Sequence, residues 1–103
     1  MITTDVDADG NAWWKPDAIV GSEKYYTLDW SEWLTAENDT LNGSAIWFIP
    51  AGLTNMDEQN LAPLTSIKLR ADAVGTYIIE CKVPTIESPL TQKMIQRVHL
   101  TVK

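Results

Sequence analysis

Cysteine is nearly absent from this 103-residue chain: Cys81 is the only one, so no internal disulfide can form. Histidine is equally scarce. His99 stands alone, and without a recognisable nucleophile turn one imidazole argues for no Ser/His/Asp constellation. Cations are few, with eight Lys and Arg against fourteen Asp and Glu, for a net charge of −6. Phosphate binding needs clustered Lys and Arg, so the acidic excess argues against nucleic acid as the main partner. No Gly-rich phosphate loop occurs. No apolar run approaches the roughly 20 residues of a membrane span. No basic-then-apolar leader is visible at the start either. What remains is ordinary for a globular chain: 45% hydrophobic and 21% charged residues, at the length of one domain.

The charge is unevenly spread. Residues 1–60 hold eleven acids and two bases, whereas residues 61–103 hold three acids and six bases. Such a split could serve head-to-tail packing of identical copies. The simpler reading, which we favour at this point, is that opposite charges meet within one fold.

Two regions are expected. Residues 1–16 read as an acidic and aromatic N-terminal arm, with Asp5, Asp7, Asp9, Gly10 and Asn11 showing no periodicity. Trp13 and Trp14 end that arm with two large apolar rings, which must dock on something. Residues 17–103 then read as strands. Ala18-Ile19-Val20 is short and closed by Gly21. Tyr26, Leu28 and Trp30 alternate with polar residues, and Trp30, Trp33 and Leu34 fit one helical turn capped by Asp29 or Ser31. Asn42-Gly43 signals a tight turn. The run Ala45–Ile49 is expected as a strand buried on both faces, and residues 54–63 as a polar loop. Ile67 and Leu69 alternate with Lys68 and Arg70. Tyr77, Ile79, Cys81 and Val83 share one strand face, opposite Glu80 and Lys82. Pro84–Pro89 reads as a hairpin tip, and Val98, Leu100 and Val102 as the apolar face of the last strand. Six or seven such strands with regular turns imply an all-β fold, an antiparallel β-sandwich.

Motifs for chemistry are thin. Asp5, Asp7, Asp9 and Gly10 match positions 1, 3, 5 and 6 of a calcium loop. Position 12, which needs a bidentate Glu, is Pro16, and no helical pattern flanks the loop. A solvated acidic arm is the better reading, and calcium the weaker one. Cys81 on an apolar face reads as a small hydrophobe. His99 falls on the polar face of its strand. Asp29 and Glu32 are the nearest approach to a carboxylate pair, with nothing to position them. No enzyme and no cofactor is expected.

Five tryptophans are the chief anomaly. Trp30 and Trp47 read as core, and Trp33 as an edge closure. Trp13 and Trp14 are the candidates for a partner-binding surface, since Trp favours interfaces and sugar sites.

The pattern Tyr26-x-x-Asp29-Trp30-x-x-Trp33-Leu34, then Asp39-Thr40-Leu41, then Trp47-x-x-Pro50-x-Gly52-Leu53, resembles small proteins of tailed bacteriophages encoded among head and tail genes. Gly75-x-Tyr77 and the ending Val98-x-Leu100-x-Val102 are similar to the same proteins. The likeness spans residues 17–103 and leaves out the arm. It implies an immunoglobulin-like (Ig-like) sandwich without the Ig cystine, folded in a reducing bacterial cytoplasm. It implies a non-enzymatic virion protein, present in multiple copies as capsid decoration or in the head–tail region. Its partners would be other virion proteins and possibly itself, with no nucleic acid and no membrane. The alternative is a carbohydrate- or cell-surface-binding module that uses exposed tryptophans as platforms.

Overall fold

The computed structural model describes residues 2–6, 11–37, 41, 44–84 and 93–103. Eight strands and one short helix are present among them: β1 (Ile2–Asp5), β2 (Asn11–Trp13), β3 (Glu23–Asp29), α1 (Ser31–Glu37), β4 (Ile46–Phe48), β5 (Leu53–Leu61), β6 (Leu64–Ala71), β7 (Gly75–Pro84) and β8 (Lys93–Val102). They form two four-stranded sheets, in the orders β1-β3-β6-β5 and β2-β8-β7-β4. The fold is all-β, as the alternation predicts.

Both sheets are mixed, which corrects the expectation of antiparallel sheets. β1 runs parallel to β3, and β2 runs parallel to β8. Parallel neighbours need a long crossover. The N-terminal segment supplies one, because it lays β1 on the first sheet and then β2 on the second. The stretch expected as an arm over residues 1–16 therefore contributes an edge strand to each sheet. Ala18 extends the second contact by an isolated parallel bridge to Val102. Beyond that bridge Ile19 and Val20 are exposed, so the short strand expected at residues 18–20 is reduced to one residue.

The inner faces of the two sheets meet in one core. Tyr26, Leu28, Ile67 and Leu69 come from the first sheet, and Ile79, Cys81, Val83, Val98 and Leu100 from the second. Trp14 is fully buried and reaches across the layers. Its Nε1–H donates to the Thr27 carbonyl at 3.0 Å, and its ring lies 5.1 Å from Tyr26 and 6.1 Å from Trp47. Buried polar groups are paired, as low dielectric demands. Trp30 Nε1–H donates to Thr65 Oγ1 at 2.9 Å, and the Thr27 and Ser66 hydroxyls bond each other at 2.6 Å.

The helical turn forms where the spacing predicts it. The Asp29 carboxylate accepts the Ser31 N–H at 2.9 Å and also the Ser31 hydroxyl, which satisfies a free amide of the first turn. Trp30 and Trp33 pack edge to face at 5.8 Å and close that end of the core.

Two local expectations are corrected. Residues 54–63 are not a loop: β5 covers Leu53–Leu61 and pairs with β6 through a two-residue turn at Ala62-Pro63. An edge strand can expose polar side chains while its backbone is paired, and that defeats a polarity-based reading. Residues 45–49 are not buried on both faces. β4 is an edge strand in which Ile46 and Phe48 are exposed and Trp47 turns inward. The turn expected at Asn42-Gly43 and the bulk of the tip expected at Pro84–Pro89 lie outside the described residues.

Candidate functional site

The two outer faces of this fold differ in kind. On the first sheet many outward side chains are polar and mutually bonded, although Met56 and Leu61 of β5 are exposed as well. Tyr25 donates its hydroxyl to Asp57 at 2.6 Å, and Gln59 donates to the same oxygen at 2.9 Å. Lys68 lies 5.7 Å from the centroid of the Tyr25 ring. Arg70 Nε–H donates to Asp72 at 2.7 Å, and the Thr54 hydroxyl donates to the other Asp72 oxygen. These bonds have electrostatic consequences. The Tyr25 hydroxyl, then Gln59, holds the Asp57 carboxyl below the usual carboxylate range. Thr54 and then Arg70 do the same for Asp72.

On the second sheet exposed apolar side chains alternate with charged and polar ones. Strand register assembles them in rows, because opposite residues share a face. One row holds Ile46, Lys82 and Ile95. The next holds Phe48, Glu80 and Arg97. A third holds Ile78, His99 and Trp13. Ile46 is 54% exposed, Phe48 52%, Ile78 49%, Trp13 46% and Ile95 43%. Exposed apolar residues scattered singly need no explanation; here five share one sheet face, interleaved with Lys82, Glu80, Arg97 and His99.

Charged side chains stand between the apolar ones of this face. Arg97 Nε–H donates to Glu80 at 3.4 Å near its centre, an exposed pair worth at most about 1 kcal/mol to folding. Lys82 and Lys15 add positive charge, with Lys15 Nζ 5.9 Å from the Trp13 ring. Beside β4 the face opens into a shallow groove of about 490 Å³, lined by Trp47, Phe48, Ile49, Pro50, Ile78 and Glu80.

The structure separates the two tryptophans singled out from the sequence. Trp13 sits on the outer face, its ring stacked on His99 at 4.6 Å. Trp14 is core and has no surface to offer a partner. Of the five tryptophans, Trp13 alone is exposed. Asp5 lies at the exposed end of β1, while Asp7 and Asp9 fall outside the described residues. Among the described residues, no group of three His, Cys, Asp or Glu comes together as a metal site. Burial pushes the Cys81 thiol up to about 12, so at neutral pH it is not a nucleophile. No helix among the described residues is long and apolar enough to cross a membrane.

Sequence reasoning missed Ile46, Phe48, Ile78 and Ile95 as surface. A signal was present for two of them. Alternation along β7 and β8 puts Ile78 and Ile95 opposite the core residues Ile79 and Gln96. For β4 a three-residue run carries no such signal, and its edge position comes only from the sheet order. Compared with known proteins, this chain matches no family model, no curated protein and no solved structure.

Proposed function

We propose that this chain is a non-enzymatic structural protein of a tailed-bacteriophage particle, built as an Ig-like sandwich and carried in multiple copies. The observation that carries the reading is the exposed apolar outer face of the second sheet, set against the hydrogen-bonded outer face of the first. One face is finished toward water and the other is built for contact. Its place is on the capsid surface or in the head–tail region, among other virion proteins, after folding in the host cytoplasm.

The Ig-like reading has three supports. The orders β1-β3-β6-β5 and β2-β8-β7-β4 correspond to the ABED and GFC sheets of Ig domains, with β2 added beside the last strand. Trp47 on β4 is the register partner of Cys81 on β7, the strands that carry a Trp and a Cys in antibody domains. Tyr77 donates its hydroxyl back to the Ala73 carbonyl at 2.8 Å, as a tyrosine corner does. The parallel β1–β3 pair departs from that pattern, and so does the spacing of four residues from Tyr77 to Cys81. With no second cysteine, Trp14 fills the centre of the core.

The test is a count of this chain against the major capsid protein in purified particles, by quantitative mass spectrometry. A count scaling with the capsid lattice supports decoration, and a small ring-like count supports the junction or tail. Absence from particles overturns the reading. The sugar-platform alternative draws less support, because His99 already covers one face of the exposed Trp13 ring.

A further inference from the structure

The outer face of the second sheet is complementary to itself. β7 and β8 run down its middle, with β4 at one edge and β2 at the other. A line drawn along the strands between β7 and β8 divides the face into unlike halves. Glu80 lies on one side and Arg97 directly opposite on the other. Trp13 stands at the β2 edge. The groove lined by Trp47, Phe48, Ile49, Pro50, Ile78 and Glu80 opens at the β4 edge. Trp13 and Ile78 belong to the same row, joined through His99, so ring and groove lie at the same height along the strands.

A two-fold axis along that line, applied to two copies face to face, keeps each row in place and exchanges the columns. β7 of one copy then lies over β8 of the other, and β4 over β2. Each Glu80 meets the other copy's Arg97, giving a closed set of two carboxylates and two guanidiniums. Each Trp13 ring meets the other copy's groove, against Phe48, Pro50 and Ile78. Lys82 is laid over Ile95, where its methylene stem covers the apolar side chain and its ammonium reaches the rim. We propose that this face docks a second copy of the chain in an isologous pair, Trp13 seating in the β4-edge groove and Glu80 facing Arg97 across the two-fold axis.

The proposal rests on reading this face as the contact surface, and it names what covers it. Isologous pairing is the commonest symmetry of soluble oligomers. An aromatic anchor in a pocket with a paired charge beside it is the usual composition of an energetic centre. The other arrangement of identical copies, second sheet on first, fits less well. It would lay Phe48, Ile78 and Trp13 on a face that carries the bonded Tyr25–Asp57–Gln59 cluster, with Met56 and Leu61 exposed only along its β5 edge. An axis across the strands at the height of that row fits less well, since it would set Glu80 against Glu80 and Arg97 against Arg97.

The experiment is sedimentation equilibrium of the full chain over a wide range of concentration, with circular dichroism to verify folding. The wild type is expected as a monomer–dimer equilibrium with no larger species. Glu80→Arg alone and Arg97→Glu alone each place like charges across the axis and are expected to weaken pairing by roughly tenfold or more. Mixed together, these two variants bring cations of one chain against carboxylates of the other. A heterodimer at wild-type strength is expected from the mixture. Trp13→Ala is expected to weaken pairing while leaving the fold intact.

A folded wild type that stays monomeric throughout overturns the proposal. An open series of oligomers overturns it too, in favour of head-to-tail contact. So does a mixture of the two charge variants that fails to recover association. The virion reading is judged separately by the particle count. A solution monomer that is abundant in particles removes the pairing and keeps that reading. A solution dimer absent from particles does the reverse.

Discussion

Trp13 and Trp14 are consecutive in the chain and serve opposite sides of the second sheet. Trp13 lies outside, stacked on His99, whereas Trp14 passes beneath the sheet and donates to the Thr27 carbonyl of the opposite layer. Their substitutions therefore differ sharply. Trp14→Ala is expected to cost about 3–5 kcal/mol, through the cavity left behind and the lost indole hydrogen bond. Trp13→Ala is expected to cost no more than about 1 kcal/mol. Urea unfolding of the two single variants measures both. Equal losses would contradict the separation of core from face.

Gly52 lies directly under the Tyr77 ring. Its φ is +103°, and a Cβ there would overlap the Tyr77 hydroxyl and come within 2.6 Å of its Cε1. Gly52→Ala is expected to destabilise by about 2–3 kcal/mol, combining left-handed strain with displacement of the ring. Gly21 has φ +91° and open space around its missing Cβ. Gly21→Ala is expected to cost about 1 kcal/mol from strain alone. The difference between the two, read from denaturant midpoints, isolates the Tyr77 contact.

Cys81 provides a probe of the core. Burial holds its thiol near a pKa of about 12, and Thr65 Oγ1 lies 3.8 Å from the sulfur. In the folded chain at pH 8 it is expected to resist alkylation, and in urea to react at the ordinary rate of a free thiol. Equal rates in the two states would contradict a closed core around β7.

Acid should weaken the outer surface of the first sheet. Asp57 and Asp72 titrate below their ordinary range when folded, held by the Tyr25 and Thr54 hydroxyls and their neighbours. A carboxylate with a depressed folded pKa adds stability above its unfolded pKa of about 3.9. That contribution is lost as pH falls through the folded value. The Asp57→Asn, Asp72→Asn double variant is therefore expected to be less stable than wild type at pH 7. The gap should close on acidification below about pH 4. Urea midpoints across pH measure it, and a gap that persists in acid would contradict the assignment.

Much of the core was legible as alternation. Tyr26 and Leu28, Ile67 and Leu69, Ile79 and Cys81, and Val98 and Leu100 all face inward as their spacing predicts. The Trp30–Trp33–Leu34 turn was legible because a helical period stands out among strands. Edges were not. Whether a strand lies central or at an edge depends on pairing with distant segments, so the apolar β4 run read as buried and the polar β5 run as loop. The role of Trp14 was hidden for the same reason. Its burial follows from the N-terminal segment joining both sheets, and no local pattern announces that. The contact face was half legible: Trp13 was found as a single residue, but its neighbours Phe48, Ile78 and Ile95 come together only through register.

In the proposed virion role, the outer face of the second sheet holds this chain in the particle by pairing it with a second copy. The most direct measurement assembles particles in the presence of equal amounts of wild type and an Ile78→Asp, Phe48→Asp variant. Both side chains are about half exposed, so the variant should fold, and circular dichroism verifies it. Mass spectrometry then reads the ratio of the two chains in purified particles. Wild type is expected in the particles, with the folded variant left in solution. Equal incorporation of the two would contradict attachment through this face.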